Sequence, residues 1–234
     1  MVYLGSKKRL CKDILPIILQ EREIDQYYVE PFCGGCNVIC HVTGNRVASD
    51  INPYLIAMFQ GLTKNRKVYL QIDETLYDAA FNSFKSSDGT FCDFDLGWIG
   101  FMASYRGKFF SGFSGKGKNG QKYVNEFIRN ILGQVELLKG IEFHCCDYAN
   151  LKLPENSLIY CDIPYKGTTG YKNAGQPFDY EKFYRWCFQK KSEGHRVFIS
   201  EYSMPSEFEL VFEKPTVNII NNSNKTVYER LYKA

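Results

Sequence analysis

The chain has 234 residues, 44% of them hydrophobic and 24% charged, with a formal net charge of +3. That balance excludes a disordered polymer, and the charge alone is too small to mark a nucleic-acid partner. No apolar run reaches the roughly 18 residues that span a bilayer and the first residues lack a signal-peptide pattern, so a cytoplasmic location is expected.

After the basic turn Gly5-Ser6-Lys7-Lys8-Arg9, apolar residues at helical spacing (Leu10, Ile14, Leu15, Ile18) predict a helix to about Gln20, bent at Pro16. Tyr27-Tyr28-Val29-Glu30 then reads as a strand running into Pro31-Phe32-Cys33-Gly34-Gly35-Cys36, with a short helix over 37–42. A second strand over 46–49 reaches Asp50-Ile51-Asn52, and Pro53 opens the next helix. This succession is the opening of a nucleotide-binding α/β unit, in which the acid ending the second strand accepts from ribose hydroxyls. The geometry serves dinucleotides and S-adenosylmethionine alike, but Gly34 and Gly35 are adjacent rather than spaced as Gly-x-Gly-x-x-Gly, which disfavours a pyrophosphate.

From 64 to 139 the pattern changes to helical stretches over 69–85 and 123–138, separated by a glycine-rich basic tract over 107–120. Between Ser104 and Arg129 six basic residues, among them Arg106, Lys108, Lys116, Lys118 and Lys122, face one acid, Glu126. Tyr105, Phe109, Phe110, Phe113 and Tyr123 are interleaved there, a mixture suited to phosphate contacts and base stacking; the alternative is a solvated basic loop whose rings belong to the core. The α/β character resumes with a strand over 141–145, the run Leu158-Ile159-Tyr160-Cys161-Asp162, a helix over 180–191 and a strand over 196–199. Two β-prone runs, 216–220 and 226–232, flank Asn221-Asn222-Ser223-Asn224 as in a hairpin. The fold class is therefore α/β and Rossmann-like, with residues 1–62 and 140–234 forming one domain in two parts and 63–139 an inserted, mostly helical region.

The apolar run ends in Asp162-Ile163-Pro164-Tyr165. An exocyclic base amine has its lone pair drawn into the ring, so reaction at it requires hydrogen-bond acceptors and a flat surface to hold the base. Asp162 offers a carboxylate, Ile163 a carbonyl that Pro164 holds in an extended conformation, and Tyr165 a ring. Cys33, Cys36, Cys40 and His41 have a ligand-like spacing that His144, Cys145 and Cys146 could complete, yet zinc would obstruct the turn facing the ligand, and no metal is expected. The nine cysteines are expected to be reduced thiols. His41 and His144 are expected beside the sheet and His195 on the surface.

Asp162-Ile163-Pro164-Tyr165 resembles the Asp-Pro-Pro-Tyr motif of the Dam-type (D12 class) DNA adenine N6-methyltransferases, with Ile163 in place of the first proline. Glu30-Pro31-Phe32-Cys33-Gly34-Gly35-Cys36 is similar to that family's Pro-Phe-x-Gly-Gly-Gly turn, Tyr3-Leu4-Gly5-Ser6-Lys7 to its aromatic-x-Gly-Gly-Lys element, and Ser49-Asp50-Ile51-Asn52 to its Ser-Asp-Ile-Asn. The resemblance implies an S-adenosylmethionine-dependent methyltransferase fold, with Tyr3, Gly5, Lys7, Glu30, Phe32, Gly34, Asp50, Asp147, Tyr148 and Asp162 at the cofactor and Asp162, Ile163, Pro164 and Tyr165 at the reacting amine. It implies double-stranded DNA as partner, read through the insertion, methyl transfer to N6 of an extruded adenine, and a bacterial or viral setting beside a restriction system. The alternatives are a related methyltransferase acting on RNA or protein, and a non-catalytic DNA-binding protein on the same scaffold.

Overall fold

The computed structural model describes residues 1–115, 122–166, 177–220 and 223–234. Seven strands, β1 (Tyr28–Glu30), β2 (Arg46–Asp50), β3 (Ile141–Cys145), β4 (Leu158–Asp162), β5 (Arg196–Glu201), β6 (Glu209–Ile220) and β7 (Ser223–Lys233), form one sheet in the order β3-β2-β1-β4-β5-β7-β6. The first five run parallel, and β7 is antiparallel to both β5 and β6. This is the Rossmann-like α/β arrangement expected from the sequence. Strand order reverses between β1 and β4, so the loops leaving their carboxyl ends flank a crevice, the usual ligand position in an open parallel sheet.

Both faces of the central strands are covered, which is why β1 and β4 read as almost unbroken apolar runs rather than as alternating ones. Successive side chains nonetheless separate: Tyr28 and Tyr160 enter one core with Ile14, Ile18 and Trp98, whereas Val29, Ile159 and Cys161 enter the other with Phe183 and Trp186. β6 starts at Glu209, well before the expected 216, and carries Pro215. It lies at the sheet edge, where a missing backbone N–H is tolerated.

Among the described residues seven α-helices pack around this frame: α1 (Cys11–Ile18), α2 (Pro53–Thr63), α3 (Glu74–Ser86), α4 (Asp93–Met102), α5 (Tyr123–Leu132), α6 (Val135–Leu138) and α7 (Tyr180–Ser192). The Asn52 side chain caps α2 by accepting from the Tyr54 and Leu55 amides, with Pro53 in the first turn as predicted. The short helix expected over 37–42 is only a 3-10 turn, Ile39–His41.

Between 63 and 139 the described residues hold no strand, and Ser104 and Phe113 pair in an isolated bridge. α4 was not predicted, because Asp-Phe-Asp-Leu-Gly-Trp-Ile-Gly-Phe-Met lacks a polar face and so shows no helical period. It is buried on nearly every side and fits against α2 so closely that a Cβ on Gly97 would lie 2.1 Å from the Tyr54 carbonyl oxygen. A Cβ on Gly61 would likewise meet the Phe94 ring at 2.1 Å.

The histidines correct the sequence reading. His41 and His144 are exposed, whereas His195 is buried, its Nδ1 accepting from the Ser157 amide at 2.9 Å and tying the start of β5 to that of β4.

Candidate active site

The turn after β1 is fastened to β2 at two points. The Cys33 amide donates to the Ser49 carbonyl at 2.8 Å, and the Gly34 amide donates to Asp50 Oδ2 at 3.2 Å. Gly34 has φ +43°, and Cβ atoms on Gly34 and Gly35 would fall 2.8 and 2.7 Å from the Tyr3 side chain, so the N-terminal segment lies directly on the turn. Asp50 Oδ1 accepts from the Asn52 amide at 3.0 Å. Burial raises the Asp50 pKa, and these backbone donors oppose the rise.

Asp162 stands at the carboxyl end of β4, in the crevice. Its Oδ1 is 3.1 Å from Lys7 Nζ, so the structure joins the N-terminal lysine element to the Asp-Ile-Pro-Tyr motif. Lys7 also lies 3.9 Å from Glu229 Oε2 and 4.3 Å from the centre of the Tyr165 ring, and donates to the Gly5 carbonyl at 3.2 Å. The Tyr165 hydroxyl donates to Glu229 Oε2 at 3.0 Å, and its ring meets Tyr202 edge-on at 4.5 Å. Lys7, Asp162, Tyr165 and Glu229 therefore form one connected group. Burial would lower the Lys7 pKa, but the two carboxylates outweigh it and hold the ammonium charged; burial raises that of Asp162, against the pull of Lys7. The Tyr165 hydroxyl is pushed well up by burial and by the same acids.

Ile163 is buried in the core on the α7 side, and the Pro164 carbonyl accepts from the Tyr180 hydroxyl at 2.9 Å, which holds the strand exit against α7. Phe32 and Tyr148 pack together at 5.2 Å, with Phe178 5.9 and 6.0 Å away, making an aromatic wall beside the glycine turn. Asp147 caps the 3-10 turn Tyr148–Asn150 by accepting from the Ala149 amide at 2.9 Å. Glu30 is buried and accepts from the Tyr28 hydroxyl at 2.9 Å, with its carboxyl pKa raised well above the ordinary range by burial.

Sequence reasoning missed Glu229, Glu201 and Tyr202. Glu201 accepts from the Lys166 and Tyr202 amides at 3.0 and 2.7 Å and so anchors the segment leaving Tyr165. Only the strand character of the run containing Glu229 was legible; its approach to Lys7 depends on β7 pairing back onto β5, where Glu201 faces Arg230.

Of the basic residues in the insertion, Arg106, Lys108 and Lys122 are exposed, and Lys116 and Lys118 lie outside the described residues. Arg106 has φ +55° and its guanidinium lies 5.3 Å from the exposed Tyr105 ring. Phe109, Phe110 and Phe113 are half-buried against the core instead: Phe109 stacks on Tyr54 at 5.0 Å, while Phe110 and Phe113 pack on Tyr77. Among the described residues no three His, Cys, Asp or Glu side chains gather as a metal site, and no helix is long and apolar enough to cross a membrane.

Comparison with known proteins finds similar chains by sequence and by structure. The chain is 28% identical over 204 residues to the Type II methyltransferase M.FokI of Planomicrobium okeanokoites, an alignment covering 74% of this chain and 30% of that protein. The crystal structure of SMU.472, described as complexed with SAH, superposes with a TM-score of 0.38 at 13% identity, covering 97% of this chain and 52% of that one. The chain thus spans less than a third of its curated relative's length and about half that of the solved structure. Residues 3–96, which hold the lysine element, the glycine turn and Asp50, match the model of the D12 class N6 adenine-specific DNA methyltransferases, and it is to that family that this part of the chain is similar.

Proposed function

We propose that the protein transfers a methyl group from S-adenosylmethionine to N6 of adenine in double-stranded DNA. The observation that carries this reading is the placement of Asp162 at the β4 exit, joined through Lys7 to the segment that covers the glycine turn.

In this reading the crevice receives an adenosyl cofactor. Asp50 has one backbone N–H on each carboxylate oxygen, which leaves lone pairs for two ribose hydroxyls. Tyr3, Gly5 and Lys7 line the turn from the N-terminal side, Phe32 and Tyr148 supply an apolar wall, Asp147 lies beside that wall, and Glu30 and Gly34 shape the floor. When bound, S-adenosylmethionine supplies an electrophilic methyl group.

The remaining work falls to the chain. Asp162 and the Ile163 carbonyl accept from the target amine and direct its nitrogen lone pair, and the Tyr165 ring holds the base. The adenine must leave the duplex first, which costs a few kcal/mol that stacking and backbone contacts offset. Those contacts fall to Arg106, Lys108, Lys116, Lys118 and Lys122 of the 63–139 region, the target-recognition part in this reading. Catalysis rests on orientation and fixed electrostatics, without a covalent intermediate.

Incubating the purified chain with labelled S-adenosylmethionine and unmethylated DNA or RNA, then identifying the modified nucleoside by mass spectrometry, tests the proposal. N6-methyladenine in DNA is the expected product; label in RNA or protein alone would overturn the substrate. Asp162→Ala and the gentler Asp162→Asn are each expected to lower methyl transfer by at least about 100-fold. Lys7 keeps Glu229 as a partner in both variants, so folding survives. Full activity in either variant would remove Asp162 from its role.

A further inference from the structure

The site contains one more acid than the reaction proposed above requires. Lys7 lies between Asp162 Oδ1 at 3.1 Å and Glu229 Oε2 at 3.9 Å, so one ammonium faces two carboxylates that come from strands far apart in the sequence. The same Glu229 oxygen accepts from the Tyr165 hydroxyl at 3.0 Å. Lys7 holds one oxygen of Asp162 and also lies 4.3 Å from the Tyr165 ring centre, over the face that a base would stack on. Seating a base against that ring therefore requires Lys7 to move, and a buried ammonium moves only where another anion receives it.

We propose that Glu229 is a positioning residue that receives Lys7 when the substrate amine engages Asp162, while fixing the Tyr165 ring through its hydroxyl. Glu229 Oε2 stands at 3.9 Å from Nζ against 3.1 Å for Asp162, so transfer between them is a short movement that keeps the charge paired throughout. Replacing Glu229 by glutamine would keep an acceptor for the Tyr165 hydroxyl but leave Asp162 as the only anion for Lys7 within the group, holding the ammonium over the Tyr165 ring. Glu229→Asp retains the charge on a shorter stem.

This inference rests on the methyl-transfer reading, and the experiment separates the two. Wild type, Glu229→Asp and Glu229→Gln are compared for kcat and KM on unmethylated duplex DNA, for S-adenosylmethionine affinity by calorimetry, and for thermal unfolding. The expected order of kcat is wild type, then Asp, then Gln, with the Gln variant reduced by at least about tenfold. Its cofactor affinity and KM are expected to change less than about threefold, because the ground-state contacts remain. A merely structural Glu229 would instead lower activity in step with unfolding midpoint and would not favour Asp over Gln. If the wild type methylates DNA and the Gln variant is at least as fast as the Asp variant, the role of Glu229 is overturned while the function stands. A wild type that transfers no methyl group overturns both.

Discussion

Glu30 is a carboxyl group sealed inside the first strand, with the Tyr28 hydroxyl as its donor. Burial raises its pKa well above the ordinary 4.5, so over the window from 4.5 upward the folded chain keeps a proton that the unfolded chain has released. Fewer protons on the unfolded state mean that stability falls as pH rises through this window. Glu30→Gln keeps an oxygen for Tyr28 and removes the titration. Thermal melts are expected to show the variant equal to wild type near pH 4 and more stable by about 2–4 °C near pH 7.5, equivalent to roughly 1 kcal/mol. A variant less stable than wild type at both values would show that the carboxylate contributes through contacts rather than through its proton. At this scale the sequence was informative wherever chemistry is local: an acid before a proline, or a glycine pair after a strand, restricts the conformations available. It was silent on Glu229 and on buried His195, because their surroundings come from strands paired at long range.

Helix α4 shows what binary patterning does not register. A helix enclosed on all sides has no polar stripe, and its sequence resembles any other apolar run. The structure places Gly97 against the Tyr54 carbonyl and Gly61 against the Phe94 ring, so the two helices approach more closely than side chains ordinarily permit. Gly97→Ala is expected to cost about 1–3 kcal/mol through overpacking against backbone that has little freedom to yield. Urea unfolding measures this. One transition moved as a whole is expected, because α4 shares a core with Tyr28 and Tyr160 of the sheet; a shift confined to a minor early transition would mean that α4 unfolds separately. The same packing explains why three phenylalanines of the basic tract turned inward although their sequence setting suited exposed bases.

Across the whole molecule, the sheet divides two apolar cores, each with one tryptophan. Trp98 Nε1 donates to the Tyr69 carbonyl at 2.9 Å, while Trp186 Nε1 is buried without a partner among the described residues. Trp98→Phe leaves a carbonyl unsatisfied and is expected to cost more than Trp186→Phe, which removes an unpaired donor, by about 1 kcal/mol. Each variant retains one tryptophan, and the two fluorescence-monitored urea curves are expected to keep similar slopes, since alternate residues of every central strand enter opposite cores. The Rossmann-like α/β class was legible from the strand, glycine-turn, acid pattern because parallel α/β connections leave few topologies open. The antiparallel return of β7 was visible only as a hairpin, and the length of β6 was hidden by Pro215, which an edge position accommodates.

The Lys7, Asp162 and Glu229 group draws on early, middle and late parts of the chain. During synthesis its members emerge from the ribosome in that order, and the last arrives only when β7 does. A chain that stops short of β7 would carry Lys7 and Asp162 without the second anion, so removing that strand is a change at the site as well as at the sheet edge.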